Sequence, residues 1–313
     1  MGAFFFNDTA YEYLWFFIVY AFLGWCAEVA YAAMCQGTFV NRGFLNGPYC
    51  PIYGFGVVLV VGLLSPLAEN GLLLFLGSVI LTSALEWSAG FILEKVFHDK
   101  WWDYSDVPFN LNGYICLKFS VLWGLACMFI VDIFHPTIVA VVSWIPHPVG
   151  WVFVALLLSA FAADTCVTAT EVLKLNRRLA HMEEIAEKLR ETSERIGEEI
   201  SDNVLELMEK QEEFREKTGE IRERTEELKE KAEELQKRRS ERKAQLLLQR
   251  QRLKEEYAKL ARGRTYVHDR LIRAYPSMSS NQYRKALEDI RKSLHGVFTS
   301  LEDFFASSDD DVK

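Results

Sequence analysis

Charged side chains are scarce in the first 173 residues, so the few present mark where chemistry could occur. Glu28, Glu86 and Lys118 each fall inside an apolar run, as does Asp164, and Glu94 lies at the inner end of the third. An ionisable group is expensive in hydrocarbon and normally faces a protein interior or a water-filled cavity. Two carboxylates at matched depth could bind a cation or a proton, with Lys118 pairing one of them. Between the first two apolar runs lies Thr38–Gly56, TFVNRGFLNGPYCPIYGFG, which holds Arg42, the one arginine in the first half of the chain. A guanidinium fork suits phosphate or carboxylate, and Asn41 beside it could help to hold an anionic group. A second polar string, His98–Gly113, carries Asp103, Tyr104, Asn110 and Asn112. It offers acceptors, donors and a turn in one short segment. The candidate ligand-binding residues are therefore Glu28, Asn41, Arg42, Glu86, Asp103, Tyr104, Asn110, Asn112 and Lys118. None is assigned a catalytic role.

These residues need a membrane scaffold to position them. Five apolar runs approach the ~20 residues that span a bilayer: Tyr11–Met34, Pro51–Leu67, Leu72–Leu93, Tyr114–Phe134 and Gly150–Leu173. Basic residues alternate with the connections. Arg42 lies in the first, Lys95 and Lys100 in the third, and Lys174, Arg177 and Arg178 after the fifth run, whereas 65–71 and 135–149 have none. The positive-inside rule then places the N-terminus outside and the C-terminus inside. Both polar strings face the cytoplasm, and Glu28 and Glu86 sit about 10 Å deep in the inner leaflet. Trp101 and Trp102 suit the headgroup layer. Asp132, near the outer end of the fourth run, stands apart from this group.

Other classes are disfavoured. The six cysteines show no CxxC pair and no metal spacing, so neither a disulfide framework nor a metal site is expected. No basic segment precedes the first apolar run, which reads as a retained helix and not a cleaved signal. The chain lacks a GxxxxGK[ST] loop and cannot itself be an ATPase. No cofactor is implied.

Three strings carry a family resemblance: GWCAEVAYAAMCQGTFVNRGFLNGPYCPIYGFG, then LEW, then WWDYSDVPFNLNGYICLKFSVLWG. They resemble the bacterial family known as putative ABC-transporter type IV permeases, over roughly Tyr11–Leu173. The resemblance implies a transport subunit whose nucleotide sites come from a separate ATPase. Its motif positions include Glu28, Asn41, Arg42, Glu86, Asp103, Tyr104, Asn110 and Asn112, with Gly24, Trp25, Gly43, Gly47, Pro48, Pro51, Tyr53, Gly54 and Gly113 as structural members.

After Glu171 the composition switches to Glu, Lys and Arg, and 172–262 reads as one long charged helix. Ile200, Leu207, Phe214, Ile221, Leu228 and Leu235 recur every seven residues, a narrow coiled-coil seam. Fully helical, the segment would reach about 135 Å. So narrow a seam implies self-association or a folded-back hairpin. Its basic end lacks interleaved aromatics, so nucleic acid is not an expected partner. Gly263 ends the helix, 264–273 restarts it, and Tyr275–Pro276 breaks it. Ser280 or Asn281 caps a last amphipathic helix, Tyr283–Phe305, before an acidic tail.

The expected architecture is all-α: a polytopic membrane helix bundle of five spans at 1–173, N-out and C-in, in the cell membrane. A cytoplasmic coiled-coil helix follows at 174–264, then an amphipathic helix and tail at 265–313. The expected function is a transport component, permease-like, with a cytoplasm-facing polar site in the inner leaflet. A membrane-embedded enzyme acting on lipid headgroups and a membrane-anchored coiled-coil scaffold are the alternatives from other classes. The expected partners are the lipid bilayer, a separate ATPase subunit and a second copy through the coiled coil.

Overall fold

In hydrocarbon a backbone must satisfy its own polar groups, which favours helices. The structure, a computed structural model, is accordingly 81% helical. It describes residues 10–216, 224–280 and 282–294. The helices are α1 Ala10–Gln36, α2 Pro51–Leu64, α3 Gly71–Phe97, α4 Leu117–Phe129, α5 His135–Ser143, α6 His147–Glu216, α7 Arg224–Arg262, α8 Tyr266–Ala274 and α9 Arg284–Leu294. Four two-residue strands complete the order: β1 Asp99–Lys100, β2 Asn110–Leu111, β3 Ile115–Cys116 and β4 Ser279–Ser280.

Among the described residues four stretches are long and apolar enough to cross a membrane: Ala10–Gln36, Gly71–Phe97, Leu117–Ser143 and the apolar part of His147–Glu206. The run Pro51–Leu67 is apolar but shorter. One expected boundary moves. The stretch from His135 was read as a connection, yet His135–Ser143 is helical. A π-helical turn, Ile130–Phe134, joins α4 to α5. Pro136 then falls in the first turn of α5, where no N–H is required of it.

The chain divides into two units. The first comprises Met1–Arg177 and Thr265–Leu287. Within it, α1 packs closely on α2 because two glycines remove the side chains that would hold the helices apart. Gly24 receives the Tyr53 ring, and a Cβ on Gly54 would lie 2.6 Å from the Phe17 carbonyl oxygen. Tyr11, Phe16, Tyr20, Val57, Val61, Val142 and Val154 form the buried cluster beside this contact. Helices α3 and α4 meet in the same manner, with Gly124 against Val79 and Phe75. The Ser83 hydroxyl donates to Ser120 Oγ across that contact at 2.7 Å.

The segment after α7 returns to this first unit. β4 pairs antiparallel with β1, matching Asp99 to Ser280. Leu271 and Met278 are buried with Phe97, Trp101 and Val172. Thr265 caps α8 by accepting from the His268 amide, and His268 Nε2 lies 2.9 Å from the Glu171 carbonyl oxygen.

The second unit holds Arg178–Arg264 and the chain from Glu288. The expected single helix is two here, α6 and α7, and residues 217–223 between them lie outside the described residues. The two run antiparallel, with His181 facing Glu256 at 3.6 Å and Arg239 paired with Glu206. Leu179, Met182 and Ile185 are buried there, and Tyr257 donates to Asp289 of α9 at 2.6 Å. Ile200 and Leu235, at the ends of the heptad seam, are exposed. Leu207, Phe214, Ile221 and Leu228 lie outside the residues whose side chains are described, as do Asn281 and the last helix beyond Leu294.

The α1–α2 contact sets a test. Gly54→Leu should destabilise the purified protein by about 1–3 kcal/mol or more, because overpacking here meets backbone. Gly56→Ala, whose nearest neighbour would be Leu85 at 3.5 Å, should be near neutral. Thermal unfolding in detergent separates them, and equal melting temperatures would contradict the contact.

Candidate functional site

The Thr38–Gly56 segment folds on side-chain hydrogen bonds in place of regular structure. Asn41 is its hub. Its Oδ1 accepts from Trp25 Nε1 at 2.7 Å and from the Gly43 amide at 3.3 Å, while its Nδ2 donates to the Asn46 carbonyl at 2.8 Å. Asp164 of α6 pins the other end. It accepts from Asn46 Nδ2 at 2.9 Å and from the Asn46 and Gly47 amides at 3.2 and 2.6 Å. The Cys50 amide then bonds to the Ala21 carbonyl at 2.8 Å, and Pro51 opens α2. A proline fits a first helical turn, where its missing N–H costs nothing.

This fold sets the position of Arg42. Its Nε lies 3.3 Å from Glu28 Oε2, and its guanidinium sits 5.1 Å from the Tyr31 ring centroid. The Tyr53 hydroxyl donates to the other Glu28 oxygen at 2.5 Å. Glu28, Arg42 and Tyr53 thus form one half-buried group in the C-terminal part of α1. Arg42 and Asn41 were expected to hold an anionic ligand. In the structure Arg42 pairs with Glu28, and Asn41 bonds to Trp25 and within its own loop.

The second polar string is folded by the same means. Asp103 accepts from the Ser105 amide at 2.9 Å and its hydroxyl at 2.5 Å. These bonds and Lys100 outweigh the opposing effect of burial and hold the carboxyl below its usual range. Asn110 Nδ2 donates to the Ser105 and Val107 carbonyls at 3.1 and 2.8 Å, and its Oδ1 accepts from the Gly113 amide at 3.2 Å. Asn112 and Gly113 supply left-handed backbone at φ 58° and 73°, which reverses the chain between β2 and β3. Asparagine and glycine are the residues that tolerate it. Asp103, Asn110 and Asn112 were expected to meet a ligand; here they build the loop that carries Tyr104.

Tyr104 reaches down to the second intramembrane carboxylate. Its hydroxyl lies 3.4 Å from Glu86 Oε1, and its ring stacks on Phe119 at 5.0 Å. Glu86 Oε2 is buried and meets no hydrogen-bond partner among the described residues. Burial, then the charges of Glu86 and of Glu28, raise the Tyr104 hydroxyl above its ordinary range. The two carboxylates therefore act on one neighbourhood. On α4, Trp123 lies one turn beyond Phe119 and meets the Tyr53 ring edge-on at 5.4 Å. Lys118 was expected to pair one of these carboxylates. It is exposed instead, makes no salt bridge among the described residues, and sits 5.7 Å from the Phe119 ring centroid. A groove of about 520 Å³ is lined by Ile80, Ser83, Phe109, Ile115, Leu117 and Ser120 among others.

Three elements went unread in the sequence. Asn46 was passed over beside Asn41. Phe119 and Trp123 were read only as span residues. The contribution of α8 and Tyr275 to this loop carries no local signal, because the loop residues they hold are more than 220 residues away. Arg270, 6% exposed, donates to the Gly43 carbonyl at 2.6 Å and to the Phe44 carbonyl at 2.8 Å. The Tyr275 hydroxyl donates to the Arg42 carbonyl at 3.2 Å. The return segment therefore grips the backbone of the residue whose side chain pairs Glu28. Asp99, 1% exposed, lies at the β1–β4 contact. Burial raises its carboxyl to about 6, and the side chains of Ser280, Asn176 and His98 offset this only in part.

Residues 15–169 match the family model described as "Putative ABC-transporter type IV". The chain belongs to this family through its membrane half. No curated protein and no solved structure matches it.

Two outcomes follow from the clamp. Cys50 is buried and its thiol is pushed up to about 12, chiefly by burial. With Cys50 as the sole cysteine, Tyr275→Ala should speed maleimide labelling by about tenfold or more, since thiolate and access both increase. Unchanged labelling would remove the clamp. For Asp99 the raised folded pKa means that the native state holds the proton more tightly than the unfolded chain. The penalty grows as pH rises from about 4 and is complete above about 6. Asp99→Asn should therefore raise the melting temperature at pH 7.5 and lose that advantage near pH 4. A pH-independent effect would contradict this.

Proposed function

We propose, from the family membership and from the polar group beneath the two cytoplasmic loops, that this chain is the membrane subunit of a transporter. The proposal includes five spans, N-out and C-in, with the shorter apolar helix Pro51–Leu67 as the second span. It places Glu28, Arg42, Glu86 and Tyr104 at the inner leaflet as the solute site, open to the cytoplasmic side. A separate ATPase subunit supplies the nucleotide chemistry that the chain lacks, and α6 and α7 form the cytoplasmic extension available to partners.

One observation carries this reading: Glu86 keeps a buried carboxylate oxygen without a partner, while every other intramembrane carboxylate of the cluster is engaged by the protein. A group left in that state costs free energy in a purely structural role. A solute or proton that occupies it removes the cost. The lipid-headgroup enzyme has no such support, because no group of three or more His, Cys, Asp or Glu side chains able to hold a metal is present among the described residues.

Topology and partnership are tested together. Alkaline phosphatase fused after Glu69 should be active outside the cell, and a fluorescent protein fused at Lys313 should fluoresce inside. Purification from native membranes should recover an ATPase subunit with a phosphate-binding loop. An inactive Glu69 fusion would overturn the five-span topology. A homo-oligomer without any ATPase would overturn the transporter assignment.

A further inference from the structure

The charge balance of the site points to the class of its ligand, and this step rests on the site reading above. Glu28 is neutralised by Arg42 at 3.3 Å. Glu86 has no cationic partner within salt-bridge distance among the described residues, and its Oε2 is buried and unpartnered. The site therefore carries one carboxyl group without a cationic partner among the described residues. Its neighbours are aromatic. Tyr104 joins Glu86 to the Phe119 ring, and Trp123, one turn along α4 from Phe119, meets the ring of Tyr53, whose hydroxyl donates to Glu28. Phe119 has Tyr104 stacked on it and Lys118 near it, and Trp123 with the two tyrosines are the further rings around the two carboxyl groups.

An anion would face the unpaired Glu86 and find Arg42 and Asn41 already occupied. A bare metal ion needs several oxygen or nitrogen ligands, and no cluster of three or more such acidic, cysteine or histidine side chains is present among the described residues. A carboxylate among aromatic faces instead matches an organic cation, which gains from the ring quadrupoles as well as from the charge. We propose that the inner-leaflet site binds an organic ammonium group, with Glu86 as its counter-charge and Trp123, Tyr53 and Tyr104 as its aromatic contacts. The group is either a free solute or the headgroup of a lipid. The apolar groove beside Ser83, one turn along α3 from Glu86, gives a lipid chain a place to lie.

The test is thermal unfolding of the detergent-purified full chain with choline, ethanolamine, potassium chloride and sodium phosphate, and in micelles doped with phosphatidylethanolamine. Wild type should be stabilised by an ammonium probe and not by potassium. Glu86→Gln should abolish the shift, and Trp123→Leu should weaken apparent affinity by about tenfold. Lys118→Gln should leave the affinity unchanged or tighten it. A response to choline or ethanolamine identifies a free solute, and a response only to the doped micelles identifies a headgroup; either supports the inference. Stabilisation by phosphate that depends on Arg42 or Lys118 would overturn the cation class and keep the solute site. No response to any probe would overturn both. Circular dichroism of Glu86→Gln and Trp123→Leu guards against misfolding, and an equal ammonium shift in folded Glu86→Gln would also overturn the inference.

Discussion

The ion pair between Glu28 and Arg42 is the contact on which the rest of this membrane unit turns. A carboxylate one or two turns below the end of a span cannot remain charged in hydrocarbon without a partner. Arg42 supplies it, but only because a chain reversal brings a loop residue back over its own helix. That reversal needs Asn41 bonded to Trp25, Asp164 bonded to Asn46 and Gly47, and the Cys50 amide on Ala21. It also needs α1 and α2 close enough for Tyr53 to reach the same carboxylate. Gly24 and Gly54 provide that closeness, because any side chain there would meet Tyr53 or Phe17. The glycines, asparagines and prolines of the loop thus serve one electrostatic requirement.

The two carboxylates end in opposite states, and the difference has a structural cause. Loop one returns an arginine to Glu28. Loop two returns a tyrosine to Glu86, and a phenol can donate one hydrogen bond but cannot cancel a charge. Asp103, Asn110, Asn112 and Gly113 are spent on making that return possible. Polar residues in a membrane loop are thus divided between those that build the turn and those that the turn delivers. In this chain Arg42 and Tyr104 are the delivered ones.

Much of this was legible in the sequence. Apolar run length located the long apolar helices, though the fourth runs on to Ser143, nine residues past its expected end, and the Gly, Pro and Asn content marked both loops as more than spacers. The break at Tyr275–Pro276 and the cap at Ser280 were also readable, since local chemistry decides them; Ser280 Oγ accepts from the Tyr283 amide at 3.2 Å. What could not be read was which polar side chains would find each other. Asn110 and Asn112 have the composition of ligand residues, and only the side-chain bonds of Asn110 and the left-handed backbone of Asn112 show their part in the turn. Lys118 looked like a counter-ion because its depth matched, but its azimuth on α4 takes it outward. The continuation of helix past Pro136 depended on a π-helical turn that has no simple sequence sign. Arg270 and Tyr275 act on a loop more than 220 residues earlier, and no periodicity records such a contact.

The account therefore depends on Glu28 and Arg42 acting as a pair and not as two independent polar groups. A double-mutant cycle with Glu28→Gln, Arg42→Gln and both together, read as unfolding free energy in detergent, measures this directly. The pair predicts that each single change costs more than half of the double change, with a coupling of about 1–3 kcal/mol. Strict additivity would mean that the loop holds Arg42 for some other purpose, and would contradict the account at its base.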